Sequence, residues 1–501
     1  MRKYTVLSCA FAVLLSGCGA LSKNDPPRSF DQEAGFAKHV ISVDRDGRLK
    51  IIENDEEKYA VNCDSNSQGH KECEKYLDNI IRGIKNFKRD NKDVEVLFFV
   101  HGGLNNPKES LERAKQIYKD MQKDNQKEHP IYPIFVIWDS RGWSTYQDHL
   151  LRIRQGEESE YKAFTLLSSP FYLLTDTGNS IVNAPKSWLV TGEHMIDAIT
   201  KKKEKRDNLE KEICYLTNEK FDVSYTGNTD VLPRNLGRNA RWILSSPIKA
   251  ITTPFAYTMP KSAWDIMLRR TNTLFYTPND LGLKQIEEAC TKKTEYSFTL
   301  PKRQLGSGAL FSFLEKLNQP QIKTGINITL VGHSMGAIVV NKIILLEPNL
   351  PYKKIIHLAS ADSINNLFNI VVPYIDYDIE KCKKSGPSSD CNEQTVKFYS
   401  FMLDPDNENR EESWSGLLPS GSLLTWIDEM YTSPETVFDR RSGRWDNIKK
   451  VIPYLPADVK WNMHFKILGI KGTEKCTNEK NCPQKHGDFD EIRFWDKTTW
   501  E

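Results

Sequence analysis

Ser334 is the residue best placed by its neighbours to do chemistry. It stands in Gly332-His333-Ser334-Met335-Gly336. Ahead of it, Ile326, Ile328, Leu330 and Val331 make a short apolar run rich in β-branched residues, which predicts a buried parallel strand. Behind it, Ala337, Ile338, Val339, Val340, Ile343, Ile344 and Leu345 recur at helical spacing. A strand, a G-x-S-x-G turn and a helix together form the setting in which a serine becomes a nucleophile. The turn is so tight that flanking glycines let the chain pass close to itself, and the hydroxyl stands at the strand's carboxyl end. The helix that follows directs its positive N-terminus at the place where an oxyanion would form. The five-residue pattern alone also fits an ordinary glycine-serine turn; the strand before and the helix behind favour the nucleophile.

The segment VGHSMGA resembles the nucleophile elbow of the α/β-hydrolase superfamily, which includes serine esterases, lipases, thioesterases and acyltransferases. The likeness runs over residues 94–140, 325–410 and 460–490, and residues 1–90 and 145–320 carry none of its motifs. It implies an α/β fold: a mostly parallel α/β-hydrolase sheet with helices on both faces, antiparallel N-terminal strands and a large helical insertion. The apolar stretch Val94–Val100 runs into His101-Gly102-Gly103-Leu104-Asn105, which looks like the loop that completes the oxyanion hole. Glycines there let backbone N–H groups face a substrate carbonyl. The resemblance places one donor near Gly102, Gly103 or Leu104 and the other at Met335.

The same resemblance implies a triad. Its acid would follow a later strand, Val396–Leu403, and Asp404 is the expected residue. Asp406 and Glu408 are rivals in the same loop, and Asp362 is an outside candidate. Any one of these acids could equally cap a helix or form a turn. His486, in a glycine-flexed loop after the last expected strand, is the implied general base. The expected reaction is hydrolysis of a carboxylic ester or related acyl group through an acyl-enzyme, with no metal and no cofactor. Two other readings are a catalytically idle scaffold that binds envelope lipid or a partner protein, and an acyltransferase.

The N-terminus has its own message. Arg2 and Lys3 precede an apolar run, Val6 to Leu15, too short to span a bilayer. It ends in Leu15-Ser16-Gly17-Cys18, which resembles a bacterial lipobox, implying a signal peptide over 1–17 and lipidation of Cys18. Gly19 follows in place of an aspartate, so the expected location is the outer membrane, facing the periplasm. The expected membrane contact is through that anchor, since no other segment is apolar for the ~20 residues a spanning helix needs.

Composition suits a folded enzyme. The 501 residues carry a net charge of +2 with both signs mixed, so nothing calls for nucleic acid. The run Lys201–Arg206 reads as a solvated helix face. Beyond Cys9 and Cys18, eight cysteines remain, with no C-x-x-C pair, which favours disulfides in an exported protein over a metal site. Sequence neighbours suggest 63–73, 214–290, 382–391 and 476–482, out of ~105 possible connectivities.

The elements that must position these residues are partly legible. Val40–Val43 and Leu49–Ile52 flank an Asp-Gly turn and predict a hairpin. Helices are expected over 76–88 and 108–125, and further strands over 134–138, 354–358 and 464–470. Asp139 at the end of its strand is expected to fix a loop. From Gly142 to Pro320 the α/β rhythm breaks. There Leu167-Ser168-Ser169-Pro170 through Trp188 is echoed by Leu244-Ser245-Ser246-Pro247 through Trp264, with a charged helix (201–212) between. The expected organisation is a signal peptide (1–17), the first half of the core (18–141), a helical insertion that could serve as a lid and acyl pocket (142–320), and the second half of the core (321–501).

Overall fold

A computed structural model describes residues 35–64, 67–91, 94–123, 130–154, 157–158, 162–186, 188–189, 202–226, 260–276, 308–385, 391–411, 420–469, 482–496 and 499. The expected signal peptide, the lipobox with Cys18 and most of the second echo lie outside them. The chain folds as α/β, around a ten-stranded mixed sheet that is mostly parallel. In chain order its strands are β1 (Val40–Val43), β2 (Leu49–Glu53), β3 (Glu56–Val61), β4 (Val94–Val100), β5 (Ile131–Trp138), β6 (Asp222–Thr226), β7 (Ile326–His333), β8 (Tyr352–Leu358), β9 (Lys397–Leu403) and β10 (Met463–Leu468). Across the sheet they lie in the order β3-β2-β1-β5-β4-β7-β8-β9-β10-β6.

Burial explains this order. Strands β4, β5 and β7 are apolar along nearly their whole length and buried at almost every position, as central parallel strands covered on both faces must be. The hairpin β1–β2 is antiparallel, closed by the turn at Asp44–Gly47, and β1 then pairs in parallel with β5. Helices expected from periodicity appear as α1 (His70–Asp90) and α2 (Pro107–Lys123), each burying one apolar stripe.

Two strands were not visible in the sequence. β3 reads Glu-Glu-Lys-Tyr-Ala-Val and is mostly solvent-facing, so its charges hide the strand pattern; they also suit an outer strand, where they discourage pairing with other chains. β6 is five residues long and lies within the illegible interval. It pairs in parallel with β10, from His464 opposite Asp222 to Leu468 opposite Thr226.

The interval 142–320 is therefore not a separable helical insertion. It supplies the sheet's edge strand β6. It also contributes a helical segment at 260–273, in which Trp264 and Arg270 are buried, and a helix over Ala309–Leu317 whose six apolar residues all lie in the core. Three helices of the expected kind also occur there: α3 (Gly142–Leu151) packed on α4 (Lys162–Val182), and α5 (Lys202–Asn218), which covers the charged run from its second residue on.

Disulfides join Cys63 to Cys73 and Cys382 to Cys391. Cys482 is also disulfide-bonded, and its expected partner Cys476 lies outside the described residues. Cys214 is an exposed free thiol, so the expected 214–290 bridge is not formed; Cys290 lies outside the described residues. Exposed on helix α5, Cys214 has a surface setting that sequence spacing could not reveal.

Candidate active site

Strand β7 delivers Ser334 into a left-handed backbone conformation, with φ of 51°. A non-glycine residue reaches that region only where its surroundings hold it there. The serine N–H donates to Leu358 O at 2.8 Å, and its carbonyl accepts from Ala337 N at 3.2 Å and Ala361 N at 3.0 Å. Both flanking glycines are sterically required. A Cβ on Gly332 would lie 2.6 Å from Ala337 N, and one on Gly336 would lie 2.1 Å from Val100 O. Helix α6 (Gly336–Leu346) starts at once behind the turn.

His486 meets this serine from the far end of the chain. Its Nε2 is 2.9 Å from Ser334 Oγ, within reach for the hydroxyl to donate to it when the imidazole carries its proton on Nδ1. Burial lowers the His486 pKa to about 3, with the nearby His333 ring acting in the same direction and Asp490 opposing it. The ring is thus a neutral base at ordinary pH. Its Nδ1 is buried and has no hydrogen-bond partner among the described residues.

The expected acid does not reach that nitrogen. Asp404 is buried at the end of β9, where Oδ1 accepts from Asp406 N at 2.8 Å and Oδ2 accepts from the Tyr225 hydroxyl at 3.0 Å. Pro405 starts a short helix directly after it, and Asp404 is that helix's N-cap. The rivals are no closer to that role. Glu408 Oε1 accepts from Ser422 Oγ at 2.8 Å, and burial raises its pKa to about 8 against the pull of Arg444. Asp362 accepts from Asn341 Nδ2, Ser363 N and Asn366 Nδ2. Asp406, also buried, lends its own N–H to Asp404.

Two carboxylates that sequence reading passed over hold the histidine loop. Glu411 Oε2 accepts the His486 backbone N–H at 2.9 Å, and burial raises its pKa to about 7. Asp490 Oδ1 lies 2.6 Å from His333 Nδ1, while His333 Nε2 is 3.2 Å from the His486 carbonyl oxygen. The Asp490 contact is close without being aligned as a hydrogen bond. Burial by itself would raise the Asp490 pKa, and His333, Arg113 and His101 together outweigh it and hold that carboxyl low. His333 sits inside the elbow motif and reads there as scaffold; its link to the histidine loop has no sequence signal.

The glycine loop packs against Ser334. A Cβ on Gly102 would stand 3.0 Å from Ser334 Cβ, and one on Gly103 would stand 2.7 Å from Met335 Sδ and 3.7 Å from Met267 Sδ. The Gly103 and Met335 N–H groups donate to no other group among the described residues, as oxyanion donors must before substrate arrives. Leu104 is excluded from that role. At φ of 65° its N–H turns away and donates to Ser140 O at 2.9 Å.

His101 locks this loop to β5. Its Nδ1–H donates to Gly102 O at 2.7 Å, and its Nε2 accepts from Trp138 N at 3.1 Å. Burial lowers its pKa to about 4, which keeps the tautomer neutral. Asp139 accepts from Arg141 and lies beside the buried Arg270, whose guanidinium also donates to Asp139 O and Asp148 Oδ2. Asp139 fixes its loop, and Arg270 ties the 260–273 segment to the sheet's carboxyl edge.

Ser334 is only 1 % exposed. A cavity bounded by His101, Asn105, Glu109, Ser110, Arg113 and Asp490 is not lined by Ser334 or His486. Among the described residues no group of histidines, cysteines and carboxylates could hold a metal ion. Comparisons of the chain with protein-family models, with curated proteins and with solved structures return no match.

Proposed function

We propose that this chain is a serine hydrolase acting on carboxylic esters or related acyl groups of a small molecule or lipid. One observation carries the reading: the 2.9 Å contact between Ser334 Oγ and His486 Nε2, at a strained turn beside a glycine loop. Ser334 attacks the acyl carbonyl while His486 takes its proton on Nε2. The amides of Gly103 and Met335 receive the oxyanion, and His486 returns the proton to the leaving alcohol. Water, activated by the same imidazole, then releases the acyl group from Ser334. Lipidation at Cys18 would tether the enzyme to the outer membrane on its periplasmic side.

A catalytically idle scaffold is the second reading. It is favoured by the closed position of Ser334 and by the His486 Nδ1 that no described carboxylate holds. A fluorophosphonate probe separates the two. The hydrolase reading expects stoichiometric labelling of the folded chain, abolished in Ser334→Ala, together with a fall in ester turnover of about 10⁴-fold or more. A folded chain that refuses the probe and gives equal turnover with and without the hydroxyl is a scaffold.

A further inference from the structure

Helix α4 is built inside out. Its buried face is polar: Thr165, Asp176 and Ser180 are almost wholly covered. Asp176 Oδ2 accepts from the Tyr146 hydroxyl at 3.0 Å and lies 3.2 Å from His149 Nε2, and Ser169 Oγ donates to Leu150 O, so this face seats on α3 and its end. Its outward face is apolar. Leu166, Leu167, Phe171, Leu174, Ile181 and Val182 are each between 65 % and 77 % exposed. Water is the wrong solvent for such a face, and patches of this kind mark a surface that meets something apolar.

We infer that this face of α4 lies in the headgroup and upper acyl region of a lipid bilayer. Three features select a bilayer. Between residues 163 and 184 the only charged side chain is Asp176, which points inward, so no charge has to enter the lipid. The hydroxyls of Ser168, Thr175 and Thr177 donate to carbonyls of the helix itself, at Thr165, Phe171 and Leu173, so they need no water. Finally, the lipid attachment proposed at Cys18 leaves 17 residues to Gly35, where the described chain begins, a reach of at most about 60 Å. A tether of that length keeps the helix at high effective concentration beside the membrane, so even a weak interfacial contact is populated. Among the described residues no helix is long and apolar enough to cross a membrane, which leaves α4 lying on the bilayer and not through it.

The inference rests on the anchoring part of the reading above and is independent of catalysis. Its test uses the full chain with Cys214→Ser and Cys290→Ser, which remove the exposed thiol and the cysteine left without its expected partner, and a single new cysteine from Leu174→Cys, Ile181→Cys or, as a control on α1, Lys85→Cys. Each is labelled with an environment-sensitive fluorophore and reconstituted on vesicles of phosphatidylethanolamine and phosphatidylglycerol. Labels at 174 and 181 are expected to shift to the blue and to lose about half their emission to lipids carrying a shallow quencher, the depth of roughly 5–10 Å at which such helices lie. The label at 85 is expected to do neither. Vesicle-bound chain whose 174 and 181 labels stay as wet as 85 overturns the inference. So does a chain that neither floats with the vesicles nor shifts its label as lipid is raised. A Leu174→Cys chain that instead cross-links to a second copy assigns the face to self-association. Ester turnover is not part of the readout, so a failed hydrolase reading leaves the outcome interpretable.

Discussion

Asp490 lies 2.6 Å from Nδ1 of His333 and makes no direct hydrogen bond to His486, the histidine that faces Ser334. Asp490 is linked to His486 at one remove: it lies against His333, and His333 meets the His486 carbonyl. Glu411 completes the clamp from the other side through the His486 N–H. His486 is positioned largely through its own backbone.

Exchanging two carboxylates for amides separates this arrangement from an Asp404 triad. Asp404→Asn keeps a good helix cap through its Oδ1 and turns its Nδ2 to donate to the Tyr225 oxygen, so it is expected to cost less than about 1 kcal/mol and to leave kcat/KM near the parent value. Asp490→Asn is expected to lower kcat by up to about 100-fold, the size of effect that follows from misplacing a catalytic group by an ångström, with KM little changed. Steady-state kinetics on a chromogenic ester decides it. A loss of about 10⁴-fold in Asp404→Asn would return the acid's role to that residue.

Stability is expected to peak near pH 6 to 7 and fall on both sides. Burial depresses four histidines: His39 and His101 to about 4, His357 and His486 to about 3. Below about pH 6.5 the unfolded chain takes up protons at these sites that the folded one refuses, so stability is lost as pH falls. Glu408 and Glu411 work in the opposite sense, raised by burial to about 8 and about 7. The folded chain keeps their protons after the unfolded one has released them, so stability drains as pH rises through 4.5 to 8. Between pH 4.5 and 6.5 four histidines oppose two glutamates, a net slope of about 3 kcal/mol per pH unit upward. Above that only the glutamate slope remains, downward. Urea midpoints taken across pH 4.5 to 8.5 test the sign on each limb.

Two glycine substitutions are expected to part company. At Gly336 a methyl group would enter backbone that cannot retreat, 2.1 Å from Val100 O, so Gly336→Ala is expected to cost about 3 kcal/mol or to prevent folding. At Gly178, in the middle of α4, an added Cβ meets nothing within 4 Å, and Gly178→Ala is expected to stabilise by about 0.5–1 kcal/mol. Thermal melts of the two variants against the parent give the comparison.

How much of this was legible in the residues follows the range of the forces involved. Strands β4, β5 and β7, the turn at Ser334 and the amphipathic helices α1 and α2 are set by neighbours a few positions away. Apolar runs, helical periodicity and paired glycines therefore announce them, and the α/β class with its mostly parallel sheet came from the sequence alone. The place of His486 came from family resemblance. Its 2.9 Å approach to Ser334 joins residues 152 positions apart, and only the assembled sheet brings them together.

What tertiary structure decided is whatever depends on competition among partners. Asp404 could have faced an imidazole or its own helix, and Tyr225, arriving on an edge strand that no pattern announced, took one of its oxygens. Leu104 could have offered its N–H to a substrate, but Ser140 O holds it. His333 drew Asp490 from 157 residues away, and α4 turned its polar side inward because Tyr146 and Leu150 were there to receive it. A sequence fixes which groups a chain owns and which local shapes it favours; how buried polar groups divide the available partners is settled only when distant segments meet in a space too small for water.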